Sequence, residues 1–586
     1  MAKQLITDYF RLNTAKQVRE SITEPANTVY YVFTGRHTPY ANGDSVVPDP
    51  VNCTQEITVD AYSNMIFGKR VNSDDVKIMI PRHDWTTNTV YAPYRSNTDL
   101  SNASFYAVTN AAASYHIFKV LDNNGGVPSI DEPQFSDTSP DDEYYSTSDG
   151  YVWKYMYTIQ KNEFEKFATA DYIPVIPNSN VVANAVSGAI DVVTIATKGS
   201  NYDSYFANTF NATDLRIGGD ITKYGLAASA SANNDFYNDS YIYIKSGTGL
   251  GQIRKIVDYS VIGTDKIVTI DSSFNTNPDS TSEYEITPSV NIVGDGAGAR
   301  ARALVNTTSS NSIYRIEIIN RGSGYSYASA SVQGNTGGVS NSASLSVVVG
   351  PKGGHGSDPE FELGGRYLGF SVSFANNEGN TIPTTNDYRT IGLLKDPLFA
   401  NVEMSLSSVV GVFEDSETVV QSNTNATGVA TFFAGSTLRL SNVSGQFVAG
   451  QIVTGATSNA TANVSSFEIN NITKDFDTFD QRWKYTGTVL AGAFQEDETV
   501  YQVDQSIANA KFHSADSNYI YLTDVKGTIN PSNTLVGVTS SAVANLSSFL
   551  QPDIVIGSGE VLYIENTDPI SRSNNQTEVV KIIMKF

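Results

Sequence analysis

Apolar and polar positions alternate along much of the chain, which is the pattern of β-strands that bury one face. Residues 114–126 (SYHIFKVLDNNGG) alternate in this way and then stop at an Asn-Gly turn, a hairpin signal. Residues 27–35 (NTVYYVFTG) are β-branched and aromatic and end on glycine. Residues 150–159 (GYVWKYMYTI) carry a wholly aromatic face made of Tyr151, Trp153, Tyr155 and Tyr157. We expect this aromatic face to be buried.

A helical pattern fits the start of the chain. Apolar residues there recur at a spacing that loosely matches one helical stripe: Leu5, Ile6, Tyr9, Phe10, Leu12, Val18 and Ile22. Strand signals take over after this segment. The pattern therefore predicts a mainly β protein with a short N-terminal helix.

Two closely similar heptapeptides occur in the last third of the chain. FEDSETV covers residues 413–419, and FQEDETV follows 81 positions later at residues 494–500. The match continues at an offset of 82, where residues 438–447 match 520–529 and residues 453–467 match 535–549. Two tandem β-modules of about 60 residues each follow from this repeat, too few units for a solenoid. A core of that size is marginal, so we expect mutual packing or a partner.

A second internal repeat lies earlier in the chain. Residues 188–202 (GAIDVVTIATKGSNY) return as residues 311–325 (NSIYRIEIINRGSGY), 123 positions later. Each copy has the pattern of a strand that is closed by a glycine-containing turn. Both copies fall within residues 188–365, which we interpret as a β-rich insertion with an internal repeat.

Composition and charge make some classes of function and partner unexpected. The chain has 586 residues, enough for several domains, and only 17% of them are charged. Acidic residues outnumber basic ones by 61 to 38, and no Lys/Arg cluster appears, so a nucleic-acid partner is not expected. The first residues lack the apolar core of a signal peptide, and no apolar run of about 18 residues exists. These features favour a soluble protein made in a cytoplasm, without a membrane partner.

Two glycine-rich stretches could hold a nucleotide phosphate. They are GTGLG (residues 247–251) and GDGAGARA (residues 294–301). A dinucleotide-binding loop needs a following helix, whereas strand patterns follow here, so hairpin turns are the preferred interpretation.

The residue types that perform catalysis or bind metals are sparse. The five histidines are His37, His83, His116, His355 and His513, and no pair of them has metal-ligand spacing. The single cysteine, Cys53, allows no internal disulfide and favours inert packing. Residues 139–150 (SPDDEYYSTSDG) could bind calcium but lack the EF-hand order of ligands, which favours a solvated loop. We therefore expect no catalytic, cofactor-binding or metal-binding residues.

Five blocks of the sequence carry a family resemblance. They are residues 27–40 (NTVYYVFTGRHTPY), 80–85 (IPRHDW), 149–159 (DGYVWKYMYTI), 387–398 (DYRTIGLLKDPL) and 557–586 (GSGEVLYIENTDPISRSNNQTEVVKIIMKF). In this order they resemble the baseplate wedge subunits that are encoded by gene eight of T-even-type myoviruses. The last block is the most specific.

The resemblance implies a layered β-sandwich that forms a homodimer within the baseplate wedge of a contractile tail. It implies a structural protein without catalytic residues, cofactor, metal or small-molecule substrate, whose partners are a second copy and other wedge subunits. The expected location is the tail baseplate of the virion, after assembly in the host cytoplasm.

The resemblance also divides the chain into five segments. The first core segment covers residues 1–187, the β-rich insertion 188–365, the second core segment 366–399, the two tandem β-modules 400–552, and the third core segment with the C-terminal strands 553–586. Insertions survive at exposed sites whose ends lie close together, so the modules should lie outside a layered β-sandwich core.

A second function from a different class stays open. β-modules with Tyr and Asn on their surfaces also suit sugars, so the chain could be a tail-associated carbohydrate-binding or carbohydrate-cleaving protein for host-surface contact. A cleft with exposed, stacked aromatic rings and two converging carboxylates would favour that alternative. Closed, polar module surfaces and a large apolar dimer face would favour the structural subunit.

Overall fold

The structure is a computed structural model. It describes residues 6–23, 28–50, 55–96, 98, 100, 102–135, 144–202, 205–210, 217–333, 341–376, 378, 382–383, 387–470, 476–573 and 575–586. The chain forms two compact units, the first from Met1–Met79 with Arg366–Phe586 and the second from Ile80–Gly365. The second unit therefore combines a large portion of the predicted first core segment with the predicted insertion.

Strands dominate both units, which confirms the mainly β fold class. The helices are α1 Asp8–Thr23, α2 Gln55–Asn64, α3 Lys161–Phe167, α4 Ser179–Ala183 and α5 Pro359–Glu362, with 3-10 turns at Ser73–Asp75 and Ile217–Gly219. The strands up to the end of the second unit are β1 Tyr30–Gly35, β2 Met65–Arg70, β3 Val76–Pro81, β4 Tyr106–Ala111, β5 Ser114–Asp122, β6 Tyr144–Ser146, β7 Val152–Gln160, β8 Tyr172–Pro174, β9 Ile190–Thr197, β10 Phe206–Thr209, β11 Lys223–Gly225, β12 Ser240–Ser246, β13 Ile253–Ile262, β14 Asp265–Ile270, β15 Glu283–Gly294, β16 Ala297–Asn306, β17 Ser312–Ser323, β18 Ala328–Val332 and β19 Ser344–Val349. The remaining strands are β20 Tyr367–Ala375, β21 Asp387–Lys395, β22 Asn401–Val410, β23 Thr418–Gln421, β24 Ala426–Ala434, β25 Thr437–Ser444, β26 Ile452–Gly455, β27 Thr461–Ile469, β28 Thr478–Asp480, β29 Trp483–Ala491, β30 Thr499–Tyr501, β31 Asn509–Ala515, β32 Ile520–Lys526, β33 Thr534–Gly537, β34 Val543–Leu550, β35 Glu560–Ser571 and β36 Thr577–Lys585. Helix α1 confirms the predicted N-terminal helix.

A five-stranded sheet lies at the centre of the first unit, in the order β28-β2-β1-β21-β35. In its middle strand, β1, Tyr31 pairs with Arg70 of β2 and with Leu394 of β21. All six residues of β1 are buried, which explains why YYVFTG is a continuous run and not an alternating one. Strands β1, β21 and β35 come from the three predicted core segments, so distant regions of the sequence meet in one sheet.

A second sheet of the first unit contains β3, β20 and β36. Strand β36 pairs with β20 over nine positions, from Tyr367 opposite Lys585 to Ala375 opposite Thr577. Strand β20 also pairs with β3, and β36 is the outer strand. The C-terminal segment is therefore integrated into the core by a full-length ladder.

The heptapeptide repeat corresponds to two closed six-stranded barrels. The first barrel has the order β22-β25-β24-β23-β26-β27 and the second the order β29-β32-β31-β30-β33-β34. Each has its own apolar core, with Val419, Leu440 and Val453 buried in the first barrel and Val500 and Leu522 in the second. These barrels confirm the predicted small inserted β-domains.

The chain returns to the central sheet between the two barrels. There, Asp480 and Phe479 of β28 pair with Phe67 and Gly68 of β2. Phe479 is fully buried, and a Cβ at Gly68 would overlap its ring. Residues 400–552 are thus two separate barrels with a strand of the central sheet between them.

In the second unit, the aromatic face of β7 is buried, as predicted. β7 lies between β5 and β6 in the sheet β4-β5-β7-β6. The Trp153 ring centroid lies 5.5 Å from that of Tyr91 and 5.4 Å from that of Tyr151. The opposite face of β7 is buried as well, at Lys154 and Met156. The aromatic face is therefore filled by the chain itself.

The rest of the second unit contains a larger sheet, in the order β11-β14-β13-β12-β15-β16-β17, and the pair β19-β9. The stretch at residues 247–251 connects β12 to β13, which pair antiparallel. The stretch at residues 294–301 includes the turn between β15 and β16. Both glycine-rich stretches are therefore strand-to-strand turns and not phosphate loops.

The two copies of the earlier repeat contact each other reciprocally. The backbone N–H of Tyr202 donates to the carbonyl oxygen of Asn311 at 3.1 Å, and that of Tyr325 donates to Gly188 at 3.1 Å. Residues 202 and 325 are equivalent in the repeat, and so are residues 188 and 311. The duplicated sequence therefore forms a local arrangement with approximate two-fold symmetry.

Candidate functional site

The residues considered for chemistry in the sequence are mostly dispersed. Within the described residues, no group of three or more His, Cys, Asp or Glu side chains is arranged to hold a metal ion. Cys53 and residues 139–143 lie outside the described residues. His83 lies against Tyr106 with a ring-centroid distance of 5.0 Å, and His116 bonds Thr158 at 2.8 Å through Nδ1.

Asp149, in the acidic stretch considered for calcium, is used to order its own loop. Its Oδ2 accepts hydrogen bonds from the Ser129 hydroxyl at 3.0 Å and from the backbone N–H groups of Ile130 and Asp131 at 2.9 and 3.1 Å. Its Oδ1 accepts from the Thr147 hydroxyl at 2.5 Å. Burial raises the pKa of Asp149, but these donors outweigh burial and lower it. The carboxylate is an internal acceptor.

A buried ionic cluster ties several elements of the second unit together. Its members are Lys119 of β5, Asp191 of β9, Glu362 of α5 and His355, whose side chains are 0–3% exposed. Lys119 forms an ion pair with Glu362, and its Nζ lies 4.2 Å from the ring centre of Tyr94. His355 Nε2 lies 2.7 Å from Asp191 Oδ1, and His355 Nδ1 lies 3.7 Å from Glu362 Oε2.

Burial and pairing act on the ionic cluster in opposite directions. Burial lowers the pKa of Lys119 despite the neighbouring carboxylate. For Glu362, burial raises the pKa, but Lys119 and His355 outweigh it and bring the pKa to about 2. Loss of one member would leave a buried charge without its partner, at a cost of about 3–5 kcal/mol. Because the cluster is enclosed, it can position β5, β9 and α5 but cannot receive a substrate.

In the first barrel, Glu417 of the heptapeptide holds a distant turn. Its Oε2 accepts from the backbone N–H groups of Thr457 and Ser458 at 3.0 and 2.9 Å. Its Oε1 accepts from the Ser458 hydroxyl at 2.7 Å and from the N–H of Glu414 at 2.8 Å. A Cβ at Gly455 would overlap this carboxylate, which explains the glycine there.

The second barrel repeats this arrangement with Glu498. Its Oε2 accepts from the N–H groups of Thr539 and Ser540 at 3.0 Å each, and its Oε1 from the Ser540 hydroxyl at 2.6 Å. Gly537 takes the place of the first barrel's glycine. Burial raises the pKa of this Glu, but the hydrogen bonds, led by the Ser540 hydroxyl, lower it below its ordinary value. The glutamate that the two heptapeptides share therefore holds an equivalent turn in each barrel.

At the start of the second barrel, Asp480 of β28 forms salt bridges with Arg482 and Lys484. Asp480 accepts from Arg482 at 2.9 and 2.8 Å, and Lys484 Nζ lies 3.0 Å from Asp480 Oδ2. Asp553, where the chain leaves the barrel, accepts the backbone N–H of Asp480 at 2.7 Å. Burial raises the pKa of Asp553 to about 6, with Lys484 opposing and Asp480 adding to the rise.

Two of the five histidines meet, although their spacing in the sequence does not suggest it. The rings of His37, which follows β1, and His513, on β31, lie 5.1 Å apart. His37 Nδ1 lies 2.5 Å from Asp497 Oδ1, and its Nε2 contacts the Thr523 hydroxyl. Burial lowers the pKa of His513 well below its ordinary range, so its ring is neutral. These contacts fasten the second barrel to the end of β1.

A cavity of about 330 Å³ lies beside the end of β1. It contains two carboxylates, Asp49 and Asp60, and Asp60 is paired with Arg36 at 2.6 Å. The ring of Tyr40 also lines it, but Tyr40 is only 6% exposed and donates its hydroxyl hydrogen to the Arg389 carbonyl at 2.7 Å. The cavity therefore offers no exposed aromatic face of Tyr40 for stacking a sugar.

None of Lys119, Asp191, Glu362, Glu417 and Glu498 is identified as a site residue by the sequence pattern. The signal for the two barrel glutamates is the repeat itself, in which the same carboxylate stands in both copies. The signal for the ionic cluster is the lysine within the apolar strand sequence HIFKVL.

The chain was also compared with known proteins. No protein-family model matches it, and no curated protein sequence matches it either. Among the described residues, no helix is long and apolar enough to cross a bilayer.

Proposed function

We propose that the chain is a structural subunit of the baseplate wedge of a contractile phage tail, which assembles through protein–protein contacts. The observation that carries this proposal is the central sheet of the first unit. Three of the five blocks that carry the family resemblance supply its adjacent strands β1, β21 and β35. A shared core built from these blocks requires that they pack together, and their pairing in one sheet supports the proposal in this way.

The use of polar side chains supports a structural role as well. The charged groups described above form ion pairs and hydrogen bonds within the chain that hold its turns and strands. They are those of the ionic cluster, Glu417, Glu498 and Asp149. An enzyme needs some of its charged groups at an accessible cleft, where they can reach a substrate. The arrangement favours a rigid building element without cofactor, metal or enzymatic activity.

The carbohydrate alternative has less support. It requires exposed aromatic rings next to converging carboxylates. The cavity with Asp49 and Asp60 has the carboxylates, but Asp60 is paired with Arg36 and Tyr40 is buried. The proposed partners are therefore a second copy of the chain and other wedge subunits, in the tail baseplate of a virion that is assembled in the host cytoplasm.

The experiment that tests the proposal uses particles of the phage that encodes the chain. Immunogold labelling with antibodies against the purified protein should mark the end of the tail that carries the baseplate. Deletion of the gene should leave particles or tails without a complete baseplate, and expression in trans should restore it. Intact, infectious particles that lack the protein would contradict the proposal, as would cleavage of a host polysaccharide by the purified chain.

A further inference from the structure

The ionic cluster of the second unit holds an amine and a carboxyl group in direct contact. Lys119 Nζ contacts Glu362 Oε2, and the two side chains are 0% and 3% exposed. On its other side, Lys119 Nζ lies 4.2 Å from the ring centre of Tyr94. Because both groups are enclosed, they are held together without the water that would otherwise separate them. An amine and a carboxyl group that are fixed in this way can react with each other as one molecule.

Backbone donors surround the carboxyl group of Glu362. The N–H groups of Gly356 and Asp358 donate to its Oε1 at 2.8 and 3.3 Å, and the Gly356 N–H also lies 3.1 Å from Oε2. When an amine attacks a carboxyl carbon, negative charge develops on the oxygen that remains, and fixed donors stabilise that charge. The two donors at Oε1 therefore favour Oε1 as the oxygen that remains and Oε2 as the oxygen that leaves.

A histidine lies beside the leaving oxygen. His355 Nε2 lies 2.7 Å from Asp191 Oδ1, which favours the ring tautomer with its hydrogen on Nε2. The other nitrogen, Nδ1, then carries a lone pair and lies 3.7 Å from Glu362 Oε2. In the part of the chain that the structure describes, this buried Nδ1 has no hydrogen-bond partner. Its position allows it to carry a proton to Oε2.

We propose that Lys119 Nζ and the side-chain carboxyl group of Glu362 condense to an amide, which cross-links β5 to α5 within the chain. The low pKa of Glu362 makes the ion pair the starting form. The ammonium passes one proton to Oε2, and burial assists this transfer because it lowers the pKa of Lys119. The neutral amine attacks Cδ, and His355 carries a second proton from the nitrogen to Oε2. The Cδ–Oε2 bond breaks, one water molecule leaves, and no oxidant, reductant or second substrate is consumed.

The cross-link would close a covalent loop in the second unit, since its ends lie 243 positions apart. A closed loop restricts the unfolded chain, so the second unit should resist heat and denaturant better than a chain without the bond. Condensation needs only the folded second unit. It would therefore occur in the purified chain whether or not the chain belongs to a phage tail.

Mass spectrometry of the full-length chain tests the cross-link. The denatured chain should be lighter than its sequence requires by one water molecule. Trypsin does not cleave after an acylated lysine, so residues 96–154 and 353–366 should appear as one branched peptide, joined at Lys119 and Glu362. An intact mass equal to that of the sequence, with residues 96–119 as a separate peptide, would show an ion pair only and would overturn the proposal.

A matched pair of lysine variants identifies the attacking group. Lys119→Arg keeps the positive charge but removes the amine, so its digest should contain no branched peptide. Lys154 of β7 lies opposite Lys119 and is 2% exposed, so Lys154→Arg changes an equally buried lysine and should keep the branch. A branch that persists in Lys119→Arg would overturn the proposal. Loss of the branch in a Lys154→Arg chain with the circular dichroism of wild type would overturn it as well.

Asp191→Asn tests the proton transfer separately. An asparagine amide can donate to His355 Nε2 and so favour the tautomer whose Nδ1 already carries a hydrogen. The branched peptide should then appear about a hundredfold more slowly during cell-free synthesis of the chain, while the circular dichroism spectrum stays that of wild type. An unchanged rate would overturn the role of His355 in the condensation.

Discussion

At the scale of single residues, the carboxylates Glu417, Glu498 and Asp553 of the first unit are of two kinds. Glu417 and Glu498 are surrounded by N–H and O–H donors, so the charged form is favoured and the pKa of each is lowered despite burial. Asp553 lies near Asp480, and burial dominates, so its charged form is disfavoured and its pKa is raised. The balance of donors around a carboxylate decides whether its charge stabilises the fold or opposes it.

Asp553→Asn should stabilise the protein at neutral pH. The folded-state pKa of about 6 lies above the ordinary value of 3.8, so the charged form costs free energy that is fully present above pH 6 and is relieved as the pH falls towards 4. Asparagine can still accept the Asp480 N–H. We expect a gain of about 1–3 kcal/mol in the free energy of unfolding at pH 7.5, and little difference at pH 4.5.

Denaturant unfolding at both pH values, with fluorescence as the readout, measures this difference. The control is Asp415→Asn, which changes an exposed carboxylate of the first barrel. A loss of stability in Asp553→Asn at pH 7.5 would show that the charge of Asp553 is favourable and would contradict the argument.

Glu417→Gln should destabilise the first barrel, and Glu498→Gln the second, by a similar amount. The amide nitrogen of glutamine cannot accept the two backbone N–H groups that Oε2 receives in each barrel. We expect a loss of about 2–3 kcal/mol for each change, greatest at neutral pH. Because the wild-type pKa values are lowered, the wild-type advantage should be lost on acidification below the ordinary pKa of 4.5.

Hydrogen exchange of the turn amides at Thr457 and Thr539 measures the effect in each barrel separately. Glu414→Gln is the control for the first barrel, since its exposed side chain lies three residues before Glu417 and outside the turn that contains Thr457. Unchanged protection of the turn amides in the two variants would mean that the carboxylates do not hold these turns.

At the scale of elements, the sequence pattern predicts the strands and the duplication well. The aromatic alternation of β7 and the glycine turns between strands need only local information, and both are confirmed. The position of β28 needs more, because its three residues, Thr478–Asp480, are too few to show a period. Its place in the sheet is fixed by a contact between Phe479 and Gly68, which lie far apart in the sequence.

The ionic cluster and the contacts of His37 are less predictable from the sequence for the same reason. The ionic cluster joins β5 to α5 across 243 positions of sequence, from Lys119 to Glu362. His37 and Thr523 meet across 486 positions. Spacing rules detect ligands that share one element, whereas these groups are brought together by the packing of whole segments.

Removal of one barrel at a time should leave the central sheet intact. The ends of the first barrel are already in contact, because the N–H of Asn470 donates to the carbonyl oxygen of Asn401 at 2.8 Å. In the second barrel, Lys484 pairs with Leu550. Replacement of residues 402–469 by a short Gly/Ser linker should therefore cost little loop-closure free energy, about 1 kcal/mol. Replacement of residues 485–549 has a similar loop-closure cost but also removes Asp497 and Thr523, the partners of His37.

Deletion across both barrels should behave differently. It removes β28 and exposes the site that the buried Phe479 fills, which costs about 3–5 kcal/mol by analogy with Phe→Ala changes in cores. Circular dichroism and the melting temperature of the three deletions give the comparison. Equal stability of the single and the combined deletions would show that β28 contributes nothing to the sheet.

At the scale of the whole molecule, any contact with a partner must be made by the exposed surface. The net charge of −23 keeps copies of the chain apart unless a specific surface is present. The aromatic face of β7, which motivates a dimer in the sequence, is filled by residues such as Tyr91 and Trp153 of the same chain. The dimer prediction therefore depends on the family resemblance and on a different surface.

Multi-angle light scattering should give a mass twice the 63.3 kDa of one chain at micromolar concentration. Trp153→Ala should lower the melting temperature of the second unit without changing the oligomeric state, because it opens a cavity inside one chain. A single-chain mass for wild type would contradict the dimer. A single-chain mass for Trp153→Ala alone would place the aromatic face at the interface.

The return of the chain to the central sheet between the barrels determines how each barrel transmits force. Each barrel is tethered at both ends to the same sheet, and neither hangs from the other. Tension applied to the tip of the first barrel passes into β21 and β28, and tension applied to the second barrel passes into β28 and β35, so the chain path of the load does not run through the other barrel. One barrel can therefore unfold under mechanical load while the other stays folded.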